Sequence, residues 1–231
     1  MASHLDLEEQ EQLDQLKAFW NRFGNLISWV LIAVLAATAA WNGYQYWQRS
    51  QASQAAAMLD EVQKIEQAGD PEKLLRAFTD MKERFGKTAY ASQAGLEIGK
   101  QLFDAGKVDN AIEVLQWVAD NTSDAGYASV ARLRWAGILL ETKQEAQALK
   151  LLASGIAPEF AALAADRRGD IYTLQGEKDK AKAQYQIAYA GLDAQDQYRR
   201  LVEVKLNALG ADPSASDPGT KDSTPAAAAT K

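Results

Sequence analysis

Cysteine is absent from the 231 residues, and histidine occurs once, at His4. Without Cys there is no disulfide framework, no thiol nucleophile and no thiol for lipid attachment. A lone His in a polar leader excludes a His-based triad and any His/Cys metal cluster. Walker loops, G-x-S-x-G elbows and dinucleotide fingerprints are missing too; "AGLEIGK" (94–100) carries glycines at the wrong spacing. Positive charge is also short: 25 Lys and Arg face 31 Asp and Glu, a net charge of −6. Phosphate binding needs a basic stripe, so nucleic acid is excluded as the main partner. No catalytic residue, metal, cofactor or small-molecule substrate is implied, and the chain reads as non-enzymatic.

Charge is also missing locally. Residues 23–48 form an uncharged run of 26 residues. As a helix it would be roughly 39 Å long, enough to cross a hydrocarbon core of about 30 Å. Phe19, Trp20 and Phe23 stand at one end and Trp41, Tyr44, Tyr46 and Trp47 at the other. Rings at both ends suit the two headgroup layers of a retained span. Ala37-Thr38-Ala39 imitates a signal-peptide cleavage site, but the leader has the wrong charge for one. Asp6, Glu8, Glu9, Glu11 and Asp14 outnumber Lys17 and Arg22. The expectation is an acidic leader (1–22) and an uncleaved transmembrane anchor (23–48). Lys17 and Arg22 flank the span closely on the N-terminal side, against only Arg49 on the other with Lys64 at the margin, a bias that favours an N-terminus in the cytoplasm. Ala33, Ala36, Ala37, Ala40 and Gly43 fall on one stripe, where another membrane helix could approach closely.

Strand alternation is absent after the anchor, and three of the five prolines lie beyond Gly210. Helical periodicity dominates, in three segments offset by 37 and 33 residues: 92–121, 129–155 and 162–191. Small residues recur in the first helices (Gly99, Ala136, Gly169) and in the second (Ala111, Ala148, Ala181). Bulky ones follow one turn later: Leu102, Leu139 and Tyr172, then Leu115, Leu152 and Tyr185. Small residues allow antiparallel helices to cross closely, and large ones fill the space beside the crossing. This rhythm resembles the tetratricopeptide repeat (TPR), most weakly in the third unit, where Arg168 occupies a usually apolar place. Residues 50–68 and 72–85 make a further helix pair joined by "AGDP", with Asp70 as N-cap and Pro71 in the first turn. The segment 196–209 is a charged amphipathic cap. The Pro/Ser/Ala-rich tail, 210–231, cannot bury a core and is expected to be disordered. The predicted fold is all-α: one N-terminal transmembrane helix, then an α-solenoid of TPR-like helix pairs over 49–209.

In TPR stacks the first helix of each pair lines a groove. Here that surface offers Gln93, Leu96, Lys100 and Phe103, then Val130, Leu133, Gly137 and Leu140, then Leu163, Asp166, Asp170 and Thr173. The Lys/Asn set with which some TPR proteins clamp C-terminal carboxylates is missing. A groove apolar at one end and acidic at the other suits an extended or helical protein segment. Asp166 and Asp170 share a helix face and read as groove-lining or solvated. Arg132, Arg134, Arg167 and Arg168 read as surface partners of nearby carboxylates, and Trp117 and Trp135 as core.

The leader, the span with its Trp/Tyr-rich exit, and "LEIGKQLFDAGKVDNAIEVL" occur together with "ARLRWAGILLETKQEAQALKLL" and "LAADRRGDIYTLQGEKDKAKAQY". Over residues 10–209 this resembles the ancillary SecYEG translocon subunit family, the YfgM-like proteins; the tail from Gly210 is extra. The resemblance implies a bacterial inner-membrane protein with a periplasmic TPR domain. It also implies partners: the Sec translocon, and a periplasmic prolyl-isomerase-like chaperone or other folding factor. A general cell-envelope assembly scaffold using the same groove is the alternative.

Overall fold

The computed structural model describes residues 7–211, with side chains from position 11 onward. The tail expected to be disordered lies outside the described residues beyond Ala211. Every regular element among the described residues is helical. Contacts divide the chain into two units, Met1–Ser53 and Gln54–Lys231.

The first helix, α1 (Leu7–Ala68), supplies the described residues of the first unit and the opening segment of the second. Residues 7–22 are helical as well as the span, because "LEEQEQLDQLKAFWNR" is built largely of strong helix formers without Gly or Pro. The most apolar 18-residue window has a mean hydropathy of 1.9 and is only 6% buried within the protein. A helix this long and apolar, with its side chains uncovered, has the length and composition to cross a membrane. Some of its polar side chains bond within the helix, as a lipid environment favours. Thr38 Oγ1 donates to the Leu35 carbonyl at 2.9 Å, and Gln48 Nε2 donates to the Tyr44 hydroxyl at 2.9 Å.

In the second unit α2 (Pro71–Phe85) begins at Asp70, whose carboxylate accepts from the N–H groups of Glu72 and Lys73. Three helix pairs follow: α3 (Ala89–Asp104) with α4 (Val108–Asn121), α5 (Ala125–Glu141) with α6 (Glu145–Leu151), and α7 (Ala161–Leu174) with α8 (Lys178–Gly191). The last helix, α9 (Gln197–Ala208), packs on α8.

The repeat is visible in the turns inside the pairs. The N–H groups of Lys107, Gln144 and Glu177 donate to the carbonyls of Leu102, Leu139 and Tyr172 at 2.8, 2.7 and 2.8 Å. The residue before each donor has positive φ: Gly106 (75°), Lys143 (59°) and Gly176 (75°). These are the same helix-ending motif three times over. Two of the pairs have the residue type that tolerates it; the middle pair does not.

Close crossings hold the pairs. A Cβ added to Gly99 would lie 2.9 Å from the Leu115 side chain, and one on Gly169 would lie 2.5 Å from the Tyr185 ring. In the first and third pairs the small residue of the first helix thus seats the large residue of its partner. Leu102, Leu115, Leu139, Leu152 and Tyr185 are all buried. Tyr172, the third counterpart of Leu102, is only half-buried, with the Lys180 ammonium 5.4 Å from its ring centre. Fully burying one such leucine is worth about 1.5–3 kcal/mol, whereas an exposed ion pair such as Lys100–Asp104 contributes about 0–1 kcal/mol. Apolar packing therefore decides the architecture. The core runs along the stack as three clusters, from the end of α1 to α5, from α5 to α7 and from α7 to α9. Each helix pair depends chiefly on its neighbours, as in other repeat proteins.

Candidate partner-binding surface

Helices α3, α5 and α7 touch in succession, α3 on α5 and α5 on α7, and so form one continuous layer. On α3, Gln93 Nε2 donates to Glu97 Oε1 at 2.9 Å, and Lys100 is exposed and paired with Asp104 at 2.5 Å. Leu96 is buried within the first cluster, and Phe103 is half-buried against it. Glu66, at the end of α1, belongs to the same electrostatic neighbourhood. Burial first, then the Glu97 carboxylate, raise its carboxyl from the ordinary value, while Lys100 pulls the other way. On α5, Val130, Leu133, Gly137 and Leu140 are all half-buried. Gly137 differs from the other helical glycines of the repeats because a Cβ there meets nothing within 4 Å. No packing inside the chain requires it.

Asp166 and Asp170 do not face an open groove. Asp166 is 1% exposed, and α9 occupies the place where the acidic end was expected. Lys205 Nζ donates to Asp166 Oδ1 and Oδ2 at 2.8 and 2.9 Å and to Asp170 Oδ1 at 2.7 Å. Tyr198 donates to Asp166 Oδ2 at 2.6 Å, and Tyr185 donates to Asp170 Oδ1 at 2.8 Å. Burial raises both phenols from their ordinary values, and their bonds to the carboxylates act in the same direction. The buried Asp166 carboxylate is tolerated because Lys205 and Tyr198 between them donate to both of its oxygens. The partly exposed apolar residues of this layer are Phe103, Val130, Leu133 and Leu140, around Gly137, with exposed Lys100 one turn from Phe103.

The signal for this cluster was present in α9. Tyr198 and Lys205 are seven residues apart, on the same side as buried Val202, so two polar groups share the inward stripe. Arg167 stands 3.9 Å from the Asp170 carboxylate and Arg132 3.9 Å from that of Asp120, as carboxylate pairing predicts, but most hydrogen bonds of Arg132, Arg134 and Arg168 go to backbone carbonyls. Arg134 Nη1 donates to Leu96 O at 2.7 Å, and Arg132 donates to Gly155 O and Ala119 O at 2.9 and 3.1 Å. Arg168 donates to Leu152 O at 3.1 Å and to Gln184 Oε1 at 2.8 Å. Leu152 is the C-cap of α6, so the arginine in the usually apolar place closes that helix end and ties it to α8. No group of three or more acidic, His or Cys residues able to hold a metal ion occurs among the described residues.

The stripe Ala33, Ala36, Ala37, Ala40 and Gly43 is exposed along α1 in the first unit, and a Cβ on Gly43 meets nothing within 4 Å.

A family model described as a tetratricopeptide repeat-like domain matches residues 17–211. The chain is similar to the "Ancillary SecYEG translocon subunit" of Neisseria gonorrhoeae (strain ATCC 700825 / FA 1090), with 29% identity over 213 residues, 90% of this chain and 100% of the relative. The protein of that name from Escherichia coli (strain K12) is 27% identical over 207 residues, 87% of this chain and 96% of the relative. Among solved structures, MamA 41-end from Desulfovibrio magneticus RS-1 matches with a TM-score of 0.47 and 21% identity, over 68% of this chain and 89% of that one. With its helix pairs, their thrice-repeated turn and a match over residues 17–211, the chain belongs to the tetratricopeptide repeat-like family that includes the ancillary SecYEG translocon subunits.

Proposed function

We propose that the protein is a non-enzymatic, membrane-tethered adaptor that associates with the Sec translocon and links it to periplasmic chaperones for newly exported proteins. Residues 1–22 form the cytoplasmic leader, 23–48 the inner-membrane anchor, 49–209 the periplasmic repeat domain and 210–231 the tail. The reading rests on one combination: an uncovered apolar helix joined in sequence to a TPR unit, in a chain whose relatives carry the translocon in their names. Tethering supplies the mechanism. A span held beside the channel raises the local concentration of whatever the repeats bind, so the groove works without high intrinsic affinity.

The Ala33/Ala36/Ala40/Gly43 stripe contacts a membrane helix of the translocon. Phe103, Val130, Leu133 and Leu140, around Gly137, receive the chaperone. Leu133 and Leu140 also pack against the second core cluster, so Asp at both positions would disturb folding and binding together. Gly137→Trp avoids this, since it projects into open space. The variant is expected to retain its helical circular dichroism and thermal midpoint but to lose chaperone co-purification; undiminished co-purification refutes the groove assignment. Photocrosslinkers placed at Ala36 and Ala40 are expected to capture a channel subunit. Crosslinks to other envelope proteins alone would indicate a scaffold working away from the translocon.

A further inference from the structure

The second helix of the middle pair is short. α6 has 7 residues where α4 and α8 have 14 each. The chain leaves it through a turn at Gly155 (φ 72°) and a 3-10 turn at Pro158–Phe160. That exit is fastened to α5 at two points. Arg132 Nη1 donates to the Gly155 carbonyl, and the Ala157 N–H donates to Ser129 Oγ at 2.8 Å. Beside the shortened helix lies a cavity of about 520 Å³ between α5 and α6. Its size is within the range of pockets that enclose small ligands or side chains.

The walls are divided by chemistry. Trp135, Leu139 and Leu151 are apolar; Arg132, Gln147 and Lys150 are polar. Lys150 is exposed and makes no hydrogen bond or ion pair among the described residues. Asp120 is the one carboxylate of the lining, and Arg132 stands 3.9 Å from it. In a chain of net charge −6, this cavity is lined by two cations against one carboxylate. Arg132 already stands by Asp120 and bonds two carbonyls, so Lys150 is the cation left without a counter-charge.

We infer that this cavity is a second peptide site, which takes an acidic side chain and its apolar neighbour from an extended segment of a partner protein. The carboxylate pairs with Lys150, and the apolar neighbour lies on Trp135, Leu139 and Leu151. The site is separate from the proposed groove. Successive helical residues turn by about 100°, so Arg132, Trp135 and Leu139 lie on nearly the opposite face of α5 from Val130, Leu133, Gly137 and Leu140. The protein thereby has two faces for two different segments.

The test uses the full-length chain in lipid nanodiscs with ¹⁵N-labelled tryptophan, the Trp135 indole signal being identified by its loss in Trp135→Phe. The probes are acetyl-Leu-Glu-Leu-amide and its isostere acetyl-Leu-Gln-Leu-amide. The Glu peptide is expected to shift the Trp135 signal saturably. The Gln peptide, or the Glu peptide on Lys150→Gln, binds about threefold more weakly because a solvent-exposed charge pair is lost. Gly137→Trp leaves the titration unchanged. Equal titration by the two peptides, or no shift at Trp135, overturns the inference. So does a shift of the same signal when the peptide-free chain is cut back to Ala211, which would make the chain's own tail the occupant. Loss of chaperone binding in Gly137→Trp reports on the groove alone, so the two readings fail separately.

Discussion

Gly169 and Lys143 mark opposite errors that a single residue can make in a repeat. Adding a methyl to Gly169 forces it against the Tyr185 ring at 2.5 Å, and that ring is buried between α7 and α8 with little room to retreat. Gly169→Ala is expected to destabilise by about 1–3 kcal/mol, as other overpacked sites do, and to lower the thermal midpoint measured by circular dichroism. Gly137→Ala is the matched control. With nothing within 4 Å, it should stabilise by about 0.5–1 kcal/mol through helix propensity. Lys143 is the converse case, a side chain at the left-handed position that Gly106 and Gly176 hold in the neighbouring turns. Such a conformation costs an L-residue roughly 1–2 kcal/mol. Lys143→Gly, less the extra entropy it gives the unfolded chain, should therefore raise stability by about 0.5–1 kcal/mol in the same melt.

Among the elements, α9 has the most conditional attachment. Val202 and Leu206 are its fully buried apolar residues, and the rest of its grip is polar: Lys205 and Tyr198 on Asp166, with Arg199 4.0 Å above the Tyr189 ring. Lys205→Met keeps the stem but strands a carboxylate that is 1% exposed. The expected loss is about 2 kcal/mol, below that of a fully buried pair because Lys205 retains some solvent. Hydrogen exchange should accelerate across residues 197–208 well before it changes in α3 and α4, since neighbouring repeats open as partly separate units. Uniform acceleration along the whole stack would mean that α9 is not a local clasp. Arg168 acts at the same scale, closing the end of the short α6 from α7.

For the whole molecule, the decisive property is the side of the membrane on which the repeats stand. Protease added to spheroplasts is expected to digest the repeat domain while leaving a membrane-protected N-terminal fragment; full protection of the repeats would reverse the orientation and the partners with it. The expectation follows from the flanking charges, Lys17 and Arg22 against Arg49.

Most of the architecture was legible in the residues alone. An uncharged run of 26 residues needs an apolar solvent, and small and large residues at offsets of 37 and 33 specify where helices cross, because packing at a crossing depends on side-chain size. Asp70-Pro71 announced its helix start for an equally local reason. The fate of the charged groups was decided only by tertiary structure. Asp166 and Asp170 look like one open acidic face until α9, some 30 residues away in sequence, brings Lys205 and Tyr198 onto them. Arg132, Arg134 and Arg168 seem to want carboxylates until folding presents them with the carbonyls of other helices. Periodicity reports which side of a helix is inward; whether a long polar side chain there meets solvent or a distant partner depends on what the fold stacks against it.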